Sequence, residues 1–390
     1  MDWTAWGHLA DRYRTPRPRR LLALDGGGIR GLLTLQVLDR LETELRAARG
    51  AGPSFRLCDF FDGIAGTSTG AIIAAGLARG MSTAELISFY REFGRDAFTK
   101  RSIIARWKSL YANGPLQAKL QHTFGDDTTL EPRHLKCLLT VVTRNATTDS
   151  AWPISSNPFA KYNDVRRPDC NLRMPLWQIV RASTAAPIYF QPEVIPFDPR
   201  DPSKTFVFVD GGTTSYNNPA FLLYRMVTEP AYRLAWPRGE RNMMIVSIGT
   251  GSGPVLGQTA EDPEQNLAGS AIQTLKALMS QAAFDQDLSC RTIGRCVHGM
   301  PLDREVGDLV PRDDQGARIP VSVDQGRAFL YARYDALLTS DGLDALGCGD
   351  IDSADVSALD SVEHTTELER VGQAVAGQIN LADFGDLITR

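Results

Sequence analysis

Residues 60–78 read Phe-Phe-Asp-Gly-Ile-Ala-Gly-Thr-Ser-Thr-Gly-Ala-Ile-Ile-Ala-Ala-Gly-Leu-Ala, and this stretch decides the fold class. Its first part, residues 60–65, is short and apolar, as buried strands are. The G-x-S-x-G pattern of residues 66–70 follows, and the apolar residues 71–78 then continue as a predicted helix. A buried strand that turns sharply into a helix is the repeating unit of sheets with parallel strands.

The same order of elements occurs around this stretch. Residues 20–24 form a predicted strand, Asp25 and three glycines end it, and leucines at positions 35, 38, 41 and 45 give the next segment a helical face. Ser82 and Glu85 have the spacing of a capping box for a helix that runs to Phe93. Further strands are predicted at 135–143, 206–209, 243–248 and 328–334, and further helices at 176–183, 220–227, 267–284 and 362–376. This alternation predicts an α/β fold with a central, mostly parallel sheet flanked by helices.

The composition is that of a globular protein with a full core. Apolar residues make up 43% and charged residues 23%, and 42 basic against 46 acidic residues leave a net charge of −4. So mild a charge argues against a nucleic acid polymer as partner. The arginines at positions 12, 14, 17, 19 and 20 are interpreted as a solvated linker into the first strand.

The cysteines and the lack of long apolar runs indicate the compartment. The six cysteines are scattered without a CxxC pair, which favours free core thiols in a cytosolic protein and gives no sign of a zinc site. The first residues lack the apolar segment of a secretory signal. No apolar run reaches the roughly 20 residues that span a bilayer, so we expect a cytoplasmic protein.

Ser68, at the centre of the G-x-S-x-G pattern, is the candidate nucleophile. In this pattern the serine lies on a strained turn between strand and helix. Glycine is needed two residues to either side, because a larger residue would collide with the neighbouring strand or helix. The alternative is that Ser68 only caps the helix that follows it.

A second glycine turn, Gly26-Gly27-Gly28, precedes Arg30 and Gly31 and joins a predicted strand to a helix. Glycines let bare N–H groups approach a ligand, and a helix N-terminus favours negative charge. Gly26, Gly28 and Gly31 also satisfy the G-x-G-x-x-G pattern of dinucleotide-binding proteins. The acidic residue that such proteins carry about 20 positions later is missing, so dinucleotide binding is the weaker alternative.

Asp210 is the better placed of the candidate bases for Ser68. It ends a predicted strand and precedes Gly211 and Gly212, and functional groups gather at the carboxyl ends of strands in such sheets. An ordinary aspartate is a weak base, so this role requires burial that raises its pKa. The alternatives are a turn residue at 210, or a Ser–Asp–His triad completed by His298 or His364.

Four blocks together resemble the patatin-like phospholipases: residues 25–31 (Asp-Gly-Gly-Gly-Ile-Arg-Gly), 66–70 (Gly-Thr-Ser-Thr-Gly), 182–187 (Ala-Ser-Thr-Ala-Ala-Pro) and 210–212 (Asp-Gly-Gly). The resemblance implies a three-layer patatin-like fold and a dyad of Ser68 and Asp210 without histidine. It also implies an oxyanion hole of backbone N–H groups near Gly27 and Gly28, in a loop to which we assign Gly26, Gly27, Gly28 and Arg30. The implied reaction is hydrolysis of fatty acyl esters of membrane phospholipids, with no metal or organic cofactor.

The residues after about 290 resemble those of bacterial patatin-like proteins, notably at 302–305 and 333–335. Some of these proteins are effectors of anti-phage signalling that a cyclic oligonucleotide activates. The resemblance therefore implies membrane phospholipid as substrate, a cyclic oligonucleotide as candidate activator, and a homo-oligomer. No nucleotide-binding motif is evident in this region of the sequence.

The chain divides into an N-terminal helix and linker at 1–19, a catalytic domain at 20–290 and a C-terminal extension at 291–390 with a candidate regulatory role. Without a spanning segment, the enzyme has to bind the inner face of the membrane peripherally. Residues 100–111 carry apolar and basic side chains at helical spacing and are the candidate surface helix or lid, the alternative being a helix packed on the core. The competing function classes are a nucleotide-binding oxidoreductase and a storage or scaffold protein without catalysis.

Overall fold

A computed structural model of the chain describes residues 2–97, 113–198, 200–253 and 267–389. The predicted surface helix at 100–111 lies outside these ranges. None of the described helices combines the length and the apolar character that a membrane crossing requires.

The described residues contain nine strands of one sheet and twelve α-helices. The strands are β1 (Arg19–Leu24), β2 (Gly63–Thr67), β3 (Leu138–Asn145), β4 (Ser150–Ser155), β5 (Glu193–Pro196), β6 (Thr205–Asp210), β7 (Met243–Ile248), β8 (Arg295–His298) and β9 (Leu330–Tyr334). The helices are α1 (Ala10–Arg14), α2 (Gly31–Ala48), α3 (Leu57–Phe60), α4 (Thr69–Arg79), α5 (Thr83–Ala97), α6 (Asn113–Phe124), α7 (Leu176–Ser183), α8 (Ala220–Thr228), α9 (Leu267–Ile293), α10 (Ser340–Ala345), α11 (Ser353–Ser357) and α12 (Thr365–Ala376).

The sheet has the strand order β5-β6-β3-β2-β1-β7-β9-β8, and β4 pairs with β3 outside this path. Within this order, the six strands β3, β2, β1, β7, β9 and β8 pair with one another in parallel. The strands β4, β5 and β6 pair antiparallel. The predicted α/β fold with a mostly parallel central sheet is therefore confirmed. Because β1 and β2 are adjacent and parallel, the two glycine turns that follow them lie side by side.

Successive side chains of β1 point to two different cores. Leu22 and Leu24 belong to a core that includes residues of α2, α4 and α12. Leu21 and Ala23 belong to a second core, formed with Trp6 and residues of α8. A parallel strand covered by helices on both faces is apolar without alternation, which explains the continuous apolar run in β1.

Most predicted elements occur with shifted ends, and strand 243–248 and helix 176–183 match the structure. The strand predicted at 60–65 is wrong at its start, because Phe60 ends α3 and the strand begins only at Gly63. The short strands β4, β5 and β8 are absent from the sequence prediction, and β5 and β8 are the edges of the sheet. The capping box is confirmed, because Ser82 N donates to Glu85 Oε2 at 2.7 Å and Glu85 N donates to Ser82 Oγ at 3.2 Å.

Arg12, Arg17 and Arg19 form a charge cluster with the buried Asp62, so the interpretation of this region as a solvated linker is wrong except for Arg14, which is exposed. Arg12 Nε donates to Asp62 Oδ1 at 3.1 Å, and Arg17 donates to the same oxygen. The backbone N–H of Arg20 donates to Asp62 Oδ2 at 3.1 Å. The side chain of Arg19 is also buried, and its Nη1 lies 3.8 Å from Asp62 Oδ1. The cluster joins the N-terminal segment to the starts of β1 and β2.

The predicted division at 1–19, 20–290 and 291–390 stays a prediction. Its second limit falls inside α9, and β8 and β9 from the C-terminal part pair within the same sheet as β1. All six cysteines are buried and free, as the sequence predicts.

Asp62→Ala is expected to lower the free energy of unfolding by roughly 3–5 kcal/mol, because it leaves buried guanidinium groups without their counter-charge. Denaturant unfolding followed by circular dichroism measures this. The matched control is Asp11→Ala, which removes an exposed ion pair with Arg14 and should change stability by about 0.5 kcal/mol or less. Equal effects of the two substitutions would contradict the structural role of the cluster.

Candidate active site

Ser68 lies on the turn between β2 and α4 with φ 54° and ψ −122°. A positive φ is strained for a residue with a side chain, and such strain persists only where the surroundings impose it. A Cβ on Gly66 would lie 2.1 Å from Gly70 O, and a Cβ on Gly70 would lie 2.3 Å from Leu24 O. The side chain of Ser68 makes no helix-capping hydrogen bond, so the alternative role as a helix cap has no support in the structure.

The structure brings Ser68 and Asp210 into direct contact. Ser68 Oγ donates a 2.5 Å hydrogen bond to Asp210 Oδ2. Asp210 ends β6 and lies opposite Thr143 of β3, which is itself the neighbour of β2. Asp210 Oδ1 accepts from Gly212 N at 2.7 Å, which fixes the carboxylate orientation. Both side chains are buried.

The environment of Asp210 strengthens it as a base. Burial raises the pKa of Asp210 to about 6, against the hydrogen bonds from Ser68 and Gly212 and the attraction of Arg181, which lower it. A carboxylate with this pKa takes up a proton more readily than a solvated aspartate and is still ionised at neutral pH. Burial thus supplies the raised pKa that the predicted role of Asp210 as a base requires.

Ser183, at the end of α7, positions the nucleophile, although sequence reasoning gave it no individual role. Ser68 N donates to Ser183 Oγ at 2.9 Å, and Ser183 Oγ donates to Val142 O at 2.6 Å. Two residues later, Ala185 O accepts from Asp210 N at 3.0 Å. The block 182–187 therefore holds both members of the pair, and its place among the four sequence blocks was the available signal.

The glycine loop lies beside Ser68, since a Cβ on Gly26 would lie 3.0 Å from Ser68 Cβ. Gly26 N is already engaged, because it donates to Asn217 O at 3.2 Å. Among the described residues, no backbone carbonyl accepts from Gly27 N or Gly28 N, and Gly28 lines the pocket of Ser68. These two amides are therefore available as donors, and their role in an oxyanion hole stays a prediction.

Arg30 lies away from Ser68. Its Nε donates to Gly27 O at 3.4 Å, and the residue lines a second cavity instead of the pocket of Ser68. The 3₁₀ turn Gly28–Arg30 directs the Arg30 amide to the Gly27 carbonyl through its i→i+3 pattern. The assignment of Arg30 to the oxyanion hole stays a prediction without geometric support.

A buried ion pair anchors the start of the glycine loop. Arg333 of β9 donates two hydrogen bonds to the Asp25 carboxylate, at 2.9 and 2.7 Å, and a third to Asp335 Oδ2 at 2.7 Å. Asp335 Oδ1 in turn accepts from Gly251 N at 2.8 Å. Sequence reasoning placed these residues in family-like blocks without pairing them; an arginine inside an apolar strand was the signal that a buried carboxylate faces it.

The histidine alternative finds no support among the described residues. His298 stacks on Tyr334 with ring centroids 4.5 Å apart, and burial lowers the pKa of His298 to about 4. His364 Nε2 lies 3.3 Å from Asp355 Oδ1. Neither histidine lines the pocket of Ser68. The described part of the chain also shows no cluster of three or more side chains that would hold a metal ion.

The pocket above Ser68 is narrow and apolar. Its volume is about 50 Å³, and its walls include Ile72, Leu116, Phe190 and Leu359. A single water needs about 10–15 Å³ of such a cavity volume, so the space holds a few waters and is too small for an acyl chain. These walls must move apart before a lipid substrate can enter.

Comparisons with known proteins show which proteins this chain is similar to. A model of the patatin-like phospholipase family matches residues 22–224. The chain is 31% identical over 221 residues to a cGAMP-activated phospholipase of Escherichia coli, a match that covers 55% of this chain and 57% of that protein. It is 30% identical over 262 residues to the 85/88 kDa calcium-independent phospholipase A2 of Rattus norvegicus, covering 62% and 28%. It is 29% identical over 250 residues to patatin-15 of Solanum tuberosum, covering 60% of each. The matched segment thus spans less than two thirds of each of these relatives.

Asp210→Asn is expected to be more stable than the wild type at pH 7–8, by about 1–3 kcal/mol, and equally stable below about pH 4. The raised pKa means that the folded protein favours the protonated carboxyl of Asp210. The wild type therefore has its full stability at low pH and loses part of it as the pH rises through about 6. Asparagine stays neutral, its side-chain oxygen can still accept from Gly212 N, and its NH2 group can donate to Ser68 Oγ instead of accepting from it. Melting temperatures from pH 4 to 8 measure the difference, and parallel curves for the two proteins would contradict it.

Ser183→Ala is expected to lower kcat by about 10- to 100-fold with little change in KM, because it leaves the buried Ser68 N–H without an acceptor and frees the nucleophile to move. Steady-state kinetics with a soluble ester measure this.

Ser156→Ala is the matched control, since Ser156 Oγ accepts from Leu139 N at 3.0 Å in an equally buried place near the start of β3. It should lose similar stability and keep its kcat. Equal kcat values for the two variants would show that Ser183 has only a structural role.

Proposed function

This chain belongs to the patatin-like phospholipase family, and from this premise we propose that it is a serine acyl hydrolase that cleaves fatty acyl esters of membrane phospholipids. The observation that carries the proposal is the 2.5 Å hydrogen bond from Ser68 Oγ to Asp210 Oδ2 on a strained strand-to-helix turn. A hydroxyl in contact with a buried carboxylate whose pKa is about 6 is a nucleophile with its base in place. The oxidoreductase alternative has no comparable support.

Acylation begins when Ser68 Oγ attacks the ester carbonyl carbon and its proton passes to Asp210 Oδ2. The carbonyl oxygen gains negative charge, which the amides of Gly27 and Gly28 stabilise by hydrogen bonds. The tetrahedral intermediate then breaks the ester C–O bond, Asp210 returns the proton to the departing alcohol, and the lysolipid leaves.

Deacylation uses the same groups in reverse. A water gives a proton to Asp210 as its oxygen attacks the acyl-serine, and the two amides again hold the oxyanion. The bond from the acyl carbon to Ser68 Oγ breaks, Ser68 recovers the proton from Asp210, and the fatty acid is released. No step requires a metal or an organic cofactor.

For access to the lipid, the enzyme binds peripherally to the inner face of the membrane from the cytoplasm. Entry of the acyl chain requires the walls of the narrow pocket to open, which makes a conformational step part of turnover. That step is a natural point for regulation.

A cyclic oligonucleotide is the activator that we propose for this step, in a role in anti-phage defence. The support is the 31% identity to a protein named for activation by cGAMP. The support from this chain itself is that Leu359 of the C-terminal segment lines the pocket of Ser68, so a ligand on that segment can act on the pocket.

Fluorophosphonate labelling tests the nucleophile. The wild type should be labelled and should release fatty acid from phosphatidylcholine vesicles, whereas Ser68→Ala should lose both, with hydrolysis reduced by about 10³-fold or more. Asp210→Asn should lose hydrolysis to a similar degree while it remains folded.

Thr67→Ser is the matched control, because Thr67 donates its hydroxyl to Tyr216 O and not into the site. It should keep labelling and hydrolysis near the wild-type level. Labelling that persists in Ser68→Ala would refute Ser68 as the nucleophile. Hydrolysis assayed with and without cyclic di- and trinucleotides tests the activator, and full activity that none of them changes would refute that part of the proposal.

A further inference from the structure

A second cavity also borders the glycine loop, at Asp25, Gly26 and Arg30. It has a volume of about 370 Å³, much larger than the pocket of Ser68, and it is lined mainly by charged and hydroxyl side chains. Its walls come from the glycine loop, the end of β7, helix α9 and the segment around α10 and α11. The proposed hydrolysis makes no use of this cavity.

Two cations in its wall have no salt-bridge partner among the described residues. Arg30 follows the glycine loop and Lys276 lies on α9, and both line the cavity. No carboxylate of the described chain lies within 4.0 Å of either charged group. Cations held together in a partly enclosed space need a counter-charge, and none is supplied here by a salt bridge.

The nearby carboxylates Asp25 and Asp335 attract Arg30, but this attraction is weaker than the effect of burial on its pKa. Asp25 and Asp335 also line the cavity, but both accept hydrogen bonds from Arg333. Asp360 attracts Lys276, an effect weaker than that of burial and of the repulsion by Arg30. The Asp25, Arg333 and Asp335 group sums to one negative charge, so with Arg30 and Lys276 the lining has a net positive charge.

The charges of Arg30 and Lys276 are destabilised where they are. Burial lowers the pKa of Arg30 to about 10. Burial and then repulsion by Arg30 lower the pKa of Lys276. An anion placed between them would relieve both effects.

Hydroxyl donors face the same space. Ser280, one helical turn after Lys276, and Thr339 both line the cavity. Neither hydroxyl donates a hydrogen bond within the described chain, and Thr339 Oγ1 accepts from Gly342 N at 3.1 Å. Cations combined with free hydroxyls are the donor set that binds phosphate oxygens.

We propose that this cavity binds a phosphate ester, with Arg30 and Lys276 as its counter-charges and the hydroxyls of Ser280 and Thr339 as hydrogen-bond donors. The volume exceeds what an inorganic phosphate fills, so the ligand carries a polar organic group. Two sources share this chemistry: a soluble phosphodiester and the headgroup of a phospholipid.

A ligand bound in the cavity affects the pocket of Ser68, because the two spaces share wall residues. Met279 and Leu359 line both spaces. Ile29 N donates to Leu359 O at 2.9 Å, which ties the C-terminal segment to the glycine loop. A ligand in the cavity therefore contacts the same side chains that have to move when the pocket of Ser68 opens.

Isothermal titration calorimetry on the full chain tests the proposal without turnover, so its failure and that of the proposed hydrolysis are distinguishable. The probes are cyclic di-AMP for the soluble source and sn-glycero-3-phosphocholine for the headgroup. One of them should bind with saturation, and Lys276→Met and Arg30→Met should each weaken that binding by about 10- to 100-fold. Lys276→Arg keeps the charge and should bind within a few-fold of the wild type.

Lys161→Met is the matched control, since Lys161 is an exposed lysine that does not line the cavity, and it should bind like the wild type. Thermal melts verify folding, and Ser280→Ala replaces Lys276→Met if the latter does not fold. Saturable binding of cyclic di-AMP assigns the soluble source, and that of glycerophosphocholine assigns the headgroup. No saturable binding of either probe, or equal binding by the wild type and the cavity variants, would overturn the proposal.

Discussion

The close approach of the turn after β2 to the end of β1, beside Ser68, is the constraint on which the rest of the structure depends. The turn after β2 passes so near to the end of β1 that a Cβ on Gly70 would lie 2.3 Å from Leu24 O. The same crowding holds Ser68 at a positive φ. Because β1 and β2 are parallel neighbours, this one contact fixes the glycine loop and the serine next to each other. A parallel sheet thereby places the Ser68 hydroxyl beside amide groups of the glycine loop.

The base reaches this point through a different kind of strand pairing. Strand β6 runs antiparallel to β3, so its carboxyl end lies beside the site from the opposite direction. The end of α7 then joins the two halves, since Ser183 accepts from Ser68 N and Ala185 accepts from Asp210 N. This arrangement lowers the stability of the fold at neutral pH, because the burial that raises the pKa of Asp210 to about 6 makes its ionised form unfavourable. Strained and destabilised groups of this kind concentrate where chemistry occurs.

Buried arginines hold the surrounding segments in place. Asp62 gathers the N-terminal arginines, Arg333 holds Asp25 and Asp335, and Arg295 pairs with Glu240 at 3.0 Å. Each cluster joins segments far apart in the sequence, and removal of one member leaves a buried charge unpaired. Arg30 and Lys276 differ from these, because their charges meet a cavity instead of a carboxylate. Leu359 of the C-terminal segment lines both this cavity and the pocket of Ser68, so the segment contacts both sites.

The sequence alone determined the α/β class and the two glycine turns, because these depend on local rules, whereas it indicated the pairing of Ser68 with Asp210 only through the resemblance to a family. Apolar periodicity gives the strands and helices, and glycine at fixed spacings marks turns that no other residue can form. Only the tertiary structure decided which arginines are buried, because a guanidinium is buried or solvated according to a carboxylate distant in sequence, such as Asp62. It also placed the Ser183 hydroxyl against the Ser68 amide, turned Arg30 away from Ser68, and formed the second cavity from several separate segments. Contacts between distant residues leave no periodic trace along the chain, and this is the physical reason that they had to be seen in three dimensions.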